Sequence, residues 1–225
     1  KPPSERLTVV LDPWVCAQFL GIVGGTLSGE MVLKGRSLFA DRLGEDVAAP
    51  WVTLIDDPTD PAAFTATATD GEGLATRRNV LVDSGRLDQF VHNSWTARRC
   101  GTSSTGSAVR GYSTTPGVGV QAVSLLPGRE DPADLIAAID DGVLLQSVTG
   151  LHSGVNPVSG DFSTGAEGLR IRNGELAEPL REFTVGSTIQ RMLLDVTGIG
   201  NDLEWQPMSA AGVTLVIGEL TVSGA

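Results

Sequence analysis

Sulfur and imidazole are scarce in this sequence. Its 225 residues include two cysteines, Cys16 and Cys100, and two histidines, His92 and His152. Two distant cysteines make neither a disulfide framework nor a CxxC pair. The four residues are also a thin stock for zinc: a structural site usually takes four Cys or His ligands, and a catalytic one takes three protein ligands. Basic residues are outnumbered, 16 Lys plus Arg against 27 Asp plus Glu, for a formal net charge of −11. That balance argues against a nucleic-acid partner, whose backbone needs clustered Lys and Arg. Its plain reading is solubility. No apolar run approaches the ~18 residues of a membrane span, and no secretory signal pattern is present. The expectation is a cytoplasmic protein without a membrane partner.

Several catalytic signatures are missing too. A zinc peptidase would carry HExxH or HExxxH on a helix, two imidazoles for the metal and a glutamate base. Neither occurs. There is no GxSxG nucleophile elbow, and Gly101-Thr102-Ser103-Ser104-Thr105 does not fit one; a P-loop is absent as well. The pairs Asp56/Asp57 and Asp140/Asp141 are adjacent, diverge on any regular element, and read as turn and helix-end residues. Cys100 follows Arg98 and Arg99, which could lower a thiol pKa, but no partnered site is visible for it. On residue chemistry alone, catalysis is unsupported.

What is present is a globular chain, 41% hydrophobic and 19% charged, long enough to bury a core. Its most distinctive stretch is Gly150 to Gly174, GLHSGVNPVSGDFSTGAEGLRIRNG. Glycines there alternate with polar residues, which suggests a loop running into a strand at Gly168–Arg172. Asn173-Gly174 then marks a two-residue hairpin turn, because a type I′ turn needs positive φ at both positions. Loops held by rigid hairpins often carry function, and the candidates to watch are His152, Asn156, Asp161, Phe162 and Ser163. The plain alternative is a surface loop with no ligand.

Along the rest of the chain, Lys1–Glu5 reads as a linker and Leu7–Leu11 as a buried strand. Asp12-Pro13 starts a helix that Gly24-Gly25 weakens; Gly21, Gly24 and Gly25 suggest close packing. A strand is expected at Trp51–Ile55, an exposed excursion over Pro61–Ala75, and a hairpin from Asn79–Val82 to Arg86–His92. A short helix follows at Ser94–Cys100, capped by Asn93 or Ser94, with His92 as a hydrogen-bonded structural histidine. Residues 101–119 form a long Gly/Ser/Thr-rich loop. Val120–Leu126 is a strand, Asp131-Pro132 caps a helix to about Asp141, and Val143–Thr149 is another strand. Glu175–Val185 is a strand in which Pro179 marks an edge or bulge. A helix over Ser187–Val196, ended by Gly198–Asp202, and a strand over Val213–Val222 complete the reading. The expected fold is α+β, mainly antiparallel sheets with hairpins and about four helices, in one domain.

Several segments together resemble the C-terminal domain of the TldD/PmbA family, proteins once called modulators of DNA gyrase. They are RRNVLVDSGRLDQFVHNSWTARRCG, the STG at Ser104 to Gly106, SGDFSTGAEGLRIRNGELAEPLREFTV, GIGNDLEW and the closing LTVSG. They follow the family's order over nearly the whole chain. The resemblance implies one such domain over 1–225, with the family's N-terminal domain missing, which suits a chain that begins at Lys1.

The resemblance further implies two branches that pair as a heterodimeric zinc metalloprotease. The TldD-like branch carries HExxxH on the helix after the first strand, and a cysteine ligand near the C-terminus. Aligning that helix through Thr26-Leu27-Ser28-Gly29-Glu30 puts its two histidines at Leu20 and Gly25, and its glutamate at Gly21. None of these can bind zinc or take a proton, and Gln206–Val222 has no cysteine. The GDFSxGAxG-like wording at Gly160–Gly168 is similar to the PmbA/TldE branch, the subunit without the metal. The implied cofactor is therefore zinc in a TldD-like partner and none on this chain. The implied partners are that subunit, or a second copy, and a peptide or unfolded protein. Two other readings stay open: a self-contained homodimeric peptidase using His92, His152 or Cys100 at an atypical site, and a non-enzymatic scaffold that binds peptides.

Overall fold

The computed structural model describes residues 4–224; Lys1–Pro3 of the expected linker lie outside them, and Glu5 already belongs to a strand. In chain order the elements begin β1 (Glu5–Leu11), α1 (Pro13–Thr26), α2 (Gly29–Leu33), β2 (Leu54–Asp56), β3 (Asn79–Asp83), β4 (Arg86–Leu87) and α3 (Ser94–Cys100). Next come β5 (Ala108–Val109), β6 (Gly117–Val118), β7 (Val123–Leu125), α4 (Pro132–Ala137), β8 (Asp141–Thr149) and α5 (Leu151–Gly154). The chain closes with β9 (Asp161–Arg172), β10 (Glu175–Thr188), α6 (Ile189–Leu194), β11 (Val196–Ile199), β12 (Glu204–Trp205), β13 (Ala211–Gly212) and β14 (Leu215–Ser223). The fold is α+β with mostly antiparallel sheets. The four expected helices are α1, α3, α4 and α6; the sequence missed the short α2 and α5. These elements group into two compact units, one holding the chain up to Gln18, Pro127–Glu204 and Gly212 onward, the other Phe19–Leu126 and Trp205–Ala211.

The first unit is built on a sheet of order β1-β8-β9-β10-β14-β11, and β1 also pairs with β14. Five strands therefore close on themselves, which leaves few backbone edges open. Only β1 and β8 run parallel within it. Helix α4 covers one face, where Val10, Leu135, Ile139, Leu144, Ile171 and Val216 form a core cluster. The Asp131 side chain caps that helix by accepting the Ala133 N–H at 2.9 Å, as its Asp-Pro start predicts. The β9–β10 turn is also as read: Asn173 and Gly174 take φ of 48° and 78°. Pro179 lies in β10 next to a register shift, and a second shift separates Leu180 from Phe183. Proline and bulges blunt a strand edge, and β10 reaches β14 only through Thr184–Gly186.

One expectation fails here. The glycine-rich segment is not a loop as far as Gly168; β9 begins at Asp161 and alternates, with Phe162, Thr164, Ala166, Gly168 and Arg170 buried. Its glycines serve close strand approach. A Cβ on Gly168 would sit 1.9 Å from the Leu144 carbonyl oxygen, and one on Gly165 2.5 Å from Thr149 Oγ1. Gly168→Ala is therefore expected to destabilise by about 1–3 kcal/mol, the usual cost of overpacking a backbone that cannot yield. A urea midpoint equal to wild type would refute this account of Gly168.

The second unit carries an antiparallel sheet of order β4-β3-β2-β7. Its middle strand is displaced from the expected position: Trp51 is 58% exposed in a turn, and the strand covers Leu54–Asp56. Helix α1 begins where Asp12 Oδ1 accepts the Val15 N–H at 2.8 Å and continues through both glycines. Gly24 does pack closely, its absent Cβ lying 2.7 Å from Val120 Cγ2, whereas Gly21 and Gly25 face open space. The strand expected over Val120–Leu126 shrinks to β7, and residues 101–119 carry the small β5–β6 ribbon. In the first unit, the helix expected over Ser187–Val196 covers only α6, because Val196 enters β11 alongside β14.

Candidate functional site

Helix α1 carries the positions where the resemblance would set a zinc motif. Leu20 is fully buried, Gly21 half-buried and Gly25 exposed, and none offers a donor atom. Among the described residues, no three His, Cys, Asp or Glu side chains gather into a group that could hold a metal ion. The side chains at these three positions do not fit zinc, since neither leucine nor glycine carries a ligating atom.

His92 is the structural histidine its place at a strand–helix junction suggests. It is 6% exposed, and its Nδ1 lies 3.2 Å from Thr96 Oγ1. Burial lowers its pKa, so the ring stays neutral at physiological pH. Asn93 caps α3 by accepting the Thr96 N–H at 2.8 Å, and Thr96 Oγ1 accepts the Asn93 N–H at 3.2 Å. Around the same ring, the His92 N–H donates to Thr105 Oγ1 at 2.7 Å, and that hydroxyl lies 2.8 Å from Ser107 Oγ. Gly29 must lack a side chain, since its Cβ would lie 2.3 Å from His92 Nδ1. Cys100 is exposed at the end of α3. Its two arginines are engaged: Arg99 stacks 5.7 Å from the Trp95 ring centroid, and Arg98 Nε donates to the Ser94 carbonyl at 3.2 Å. Cys16 is buried, and desolvation pushes its thiol up to about 12, which makes it inert.

The five candidates near Gly160 separate into different roles. His152 is exposed on the one-turn helix α5, and among the described residues its side chain hydrogen-bonds none of the other four. Asn156 shapes the loop: its Oδ1 accepts the Val158 and Ser159 N–H groups at 2.9 and 3.3 Å. Asp161 is tied to the same loop, with Ser159 Oγ donating to its Oδ2 at 2.6 Å. Gly160 takes φ of 84° against Gln190, whose Nε2 donates to the Ser159 carbonyl at 3.1 Å. Phe162 is buried at 5%, while Asp161 and Ser163 face outward from β9. The structure thus links Asn156 with Asp161 and leaves the exposed tip to Pro157 and Val158.

Sequence reading missed Asp56, which it took for a turn residue. Asp56 ends β2 and is fully buried; Oδ1 accepts the Gln121 and Ala122 N–H groups at 2.8 and 2.7 Å. Oδ2 has no hydrogen-bond partner among the described residues. Burial pushes the carboxyl up to about 6, against the lowering effect of its two backbone donors. An acidic Asp56-Asp57-Pro58 string looks like a turn, and nothing local signals that its first carboxylate faces inward.

A mostly antiparallel α+β chain with a strand-closed sheet and these sequence blocks defines a metallopeptidase-family C-terminal domain. Residues 4–224 match the model of the PmbA/TldA metallopeptidase C-terminal domain, and the chain belongs to that family. It is 32% identical over 203 residues to a metalloprotease of Methanothermobacter thermautotrophicus, covering 89% of this chain and 44% of that protein. Against the metalloprotease PmbA of Escherichia coli O157:H7 it is 26% identical over 224 residues, covering 100% of this chain and 47% of that one. Its fold is similar to that of TldE from Thermococcus kodakarensis, with a TM-score of 0.91 at 27% identity, over 99% of this chain and 51% of that one. The chain thus spans about half the length of the curated relatives it matches.

Proposed function

We propose that this chain is the C-terminal domain of a PmbA/TldE-type subunit of a TldD/TldE-type peptidase complex, acting in proteolysis or peptide maturation. A TldD-like partner would hold zinc and activate water, and this chain would complete the compartment that receives a peptide or unfolded substrate. The observation that supports the reading is helix α1, which has Leu20, Gly21 and Gly25 where the resemblance would set the HExxxH residues. A helix can keep its place in a fold after losing its ligands, whereas a catalytic zinc site cannot work without them. The exposed residues His152 on α5, Asn156 in the loop, and Asp161 and Ser163 on β9 remain the proposed substrate-facing group. Phe162 joins them only through the strand it anchors, so Phe162→Ala would test packing as well as binding.

The test uses the full-length protein, alone and mixed with a TldD-like HExxxH protein from the same genome. Zinc well below one per chain, no peptide hydrolysis alone and hydrolysis on mixing are expected. Near-stoichiometric zinc surviving dialysis, with hydrolysis by the lone protein, would sink the reading in favour of a self-contained peptidase. Low zinc with no activity in any mixture would favour the scaffold.

A further inference from the structure

Within the second unit an open groove of about 450 Å³ runs along the segment from Thr65 to Gly71, in the size range of ligand sites. Thr65, Thr67 and Thr69 line it at alternate positions, and Arg110, Gln121 and Ser209 contribute the other polar side chains besides Asp70. Most of these polar groups are already engaged. Thr65 Oγ1 donates to the Gln121 carbonyl, Thr67 Oγ1 donates to the Thr69 carbonyl at 2.8 Å, and Gln121 Nε2 donates to the Gly106 carbonyl at 3.0 Å. Asp70 is 7% exposed and its oxygens accept the Glu72, Leu74 and Ala108 N–H groups at 2.9, 2.9 and 3.1 Å. Its carboxylate therefore serves the wall of the groove and not its contents.

What remains is one-sided. Among the described residues, the Arg110 guanidinium, the Thr69 hydroxyl and the Ser209 hydroxyl make no hydrogen bond or ion pair. All three can donate, and the only charge among them is positive. Beside them the walls are small and apolar, at Gly71, Ala108, Val109 and Val120. A guanidinium with two hydroxyls suits a carboxylate, because charge-assisted bonds from Arg to carboxylate are the stronger class. Walls of small residues suit an extended chain with small side chains.

We propose that this groove binds the free C-terminal carboxylate of an extended peptide, with Arg110 as its charge partner and Thr69 and Ser209 as supporting donors. The proposal rests on the reading of this chain as one that handles peptides, and extends it to which end of the peptide this chain holds. It requires neither zinc nor a partner subunit, so its test is separate from that of the complex.

The experiment is calorimetric titration of the full-length protein, without any partner, with acetyl-tetraalanine as the free acid, the same peptide as its C-terminal amide, and acetate. The acid is expected to bind at least about tenfold more tightly than the amide or acetate, equivalent to about 1.4 kcal/mol. Arg110→Gln should remove that preference and leave the amide unaffected; Ser209→Ala should weaken the acid alone. Arg110 is exposed, so its replacement should leave the unfolding midpoint unchanged. Equal affinities for acid and amide, acetate binding as tightly as the peptide, no binding of any of the three, or an acid preference that survives Arg110→Gln would each overturn the proposal.

Discussion

Removing both carboxylates around Arg170, by Glu5→Gln with Asp141→Asn, is expected to cost about 3–5 kcal/mol, more than removing the arginine itself. Arg170 sits on β9 with its side chain only 5% exposed, and it ties three strands together. Nε and Nη2 donate to the two Asp141 oxygens at 2.8 and 2.5 Å, and Nη1 donates to Glu5 Oε1 at 2.7 Å. The burial is unequal: the Asp141 and Glu5 side chains are 48% and 31% exposed. After Arg170→Met both acids can hydrate, and a similar aliphatic volume stays in place; buried pairs replaced by apolar groups often lose little. With the acids gone, the guanidinium is left buried and cannot deprotonate, which is the expensive outcome. Urea unfolding of the two variants at pH 7 decides it. If Arg170→Met proves the costlier, the ion cluster is not governed by stranded charge.

That cluster also shows where sequence reading reaches and where it stops. Local signals transferred well: the Asp12 and Asp131 caps, the Asn93 cap of α3, and the Asn173-Gly174 turn each depend on neighbours within a few residues. The family blocks were legible for a different reason, being strings of residues that a resemblance can match directly. What failed depended on distant partners. Gly165 looks like a loop glycine and Gly168 like the start of a short strand until Thr149 and Leu144 are seen pressing on them. Trp51-Val52-Thr53 looks like strand, but the ladder to β3 and β7 starts at Leu54. Arg170 alternates with apolar residues and gives no sign that Glu5, far back in the chain, will answer it. The candidate loop fared in between: Asn156 and Asp161 do meet, but they are spent on holding the loop's own shape.

Asp56 gives the largest expected effect of pH. Its ordinary carboxyl pKa of 3.8 rises to about 6 in the folded chain, so the folded state holds a proton that the unfolded chain releases. Between these values the native protein binds more protons than the unfolded one, and stability falls as pH rises. A shift of this size corresponds to about 3 kcal/mol, present below pH 4 and lost by the time pH passes 6. Asp56 is not alone in shaping the curve, since Arg172 holds the exposed Glu178 carboxyl down to about 2. The informative quantity is therefore the difference between wild type and Asp56→Asn. The amide oxygen can still accept the Gln121 and Ala122 N–H groups, and the amide cannot ionise. The two proteins should be of similar stability at pH 4, and the variant should gain about 2–3 kcal/mol over wild type by pH 7.5, with the gain building up between pH 4 and 6 and levelling off above 6. Chemical denaturation at half-unit pH steps would trace that curve. A difference that stays flat from pH 4 to 7.5 would mean that Asp56 is ionised in the folded chain throughout, its second oxygen compensated by solvent.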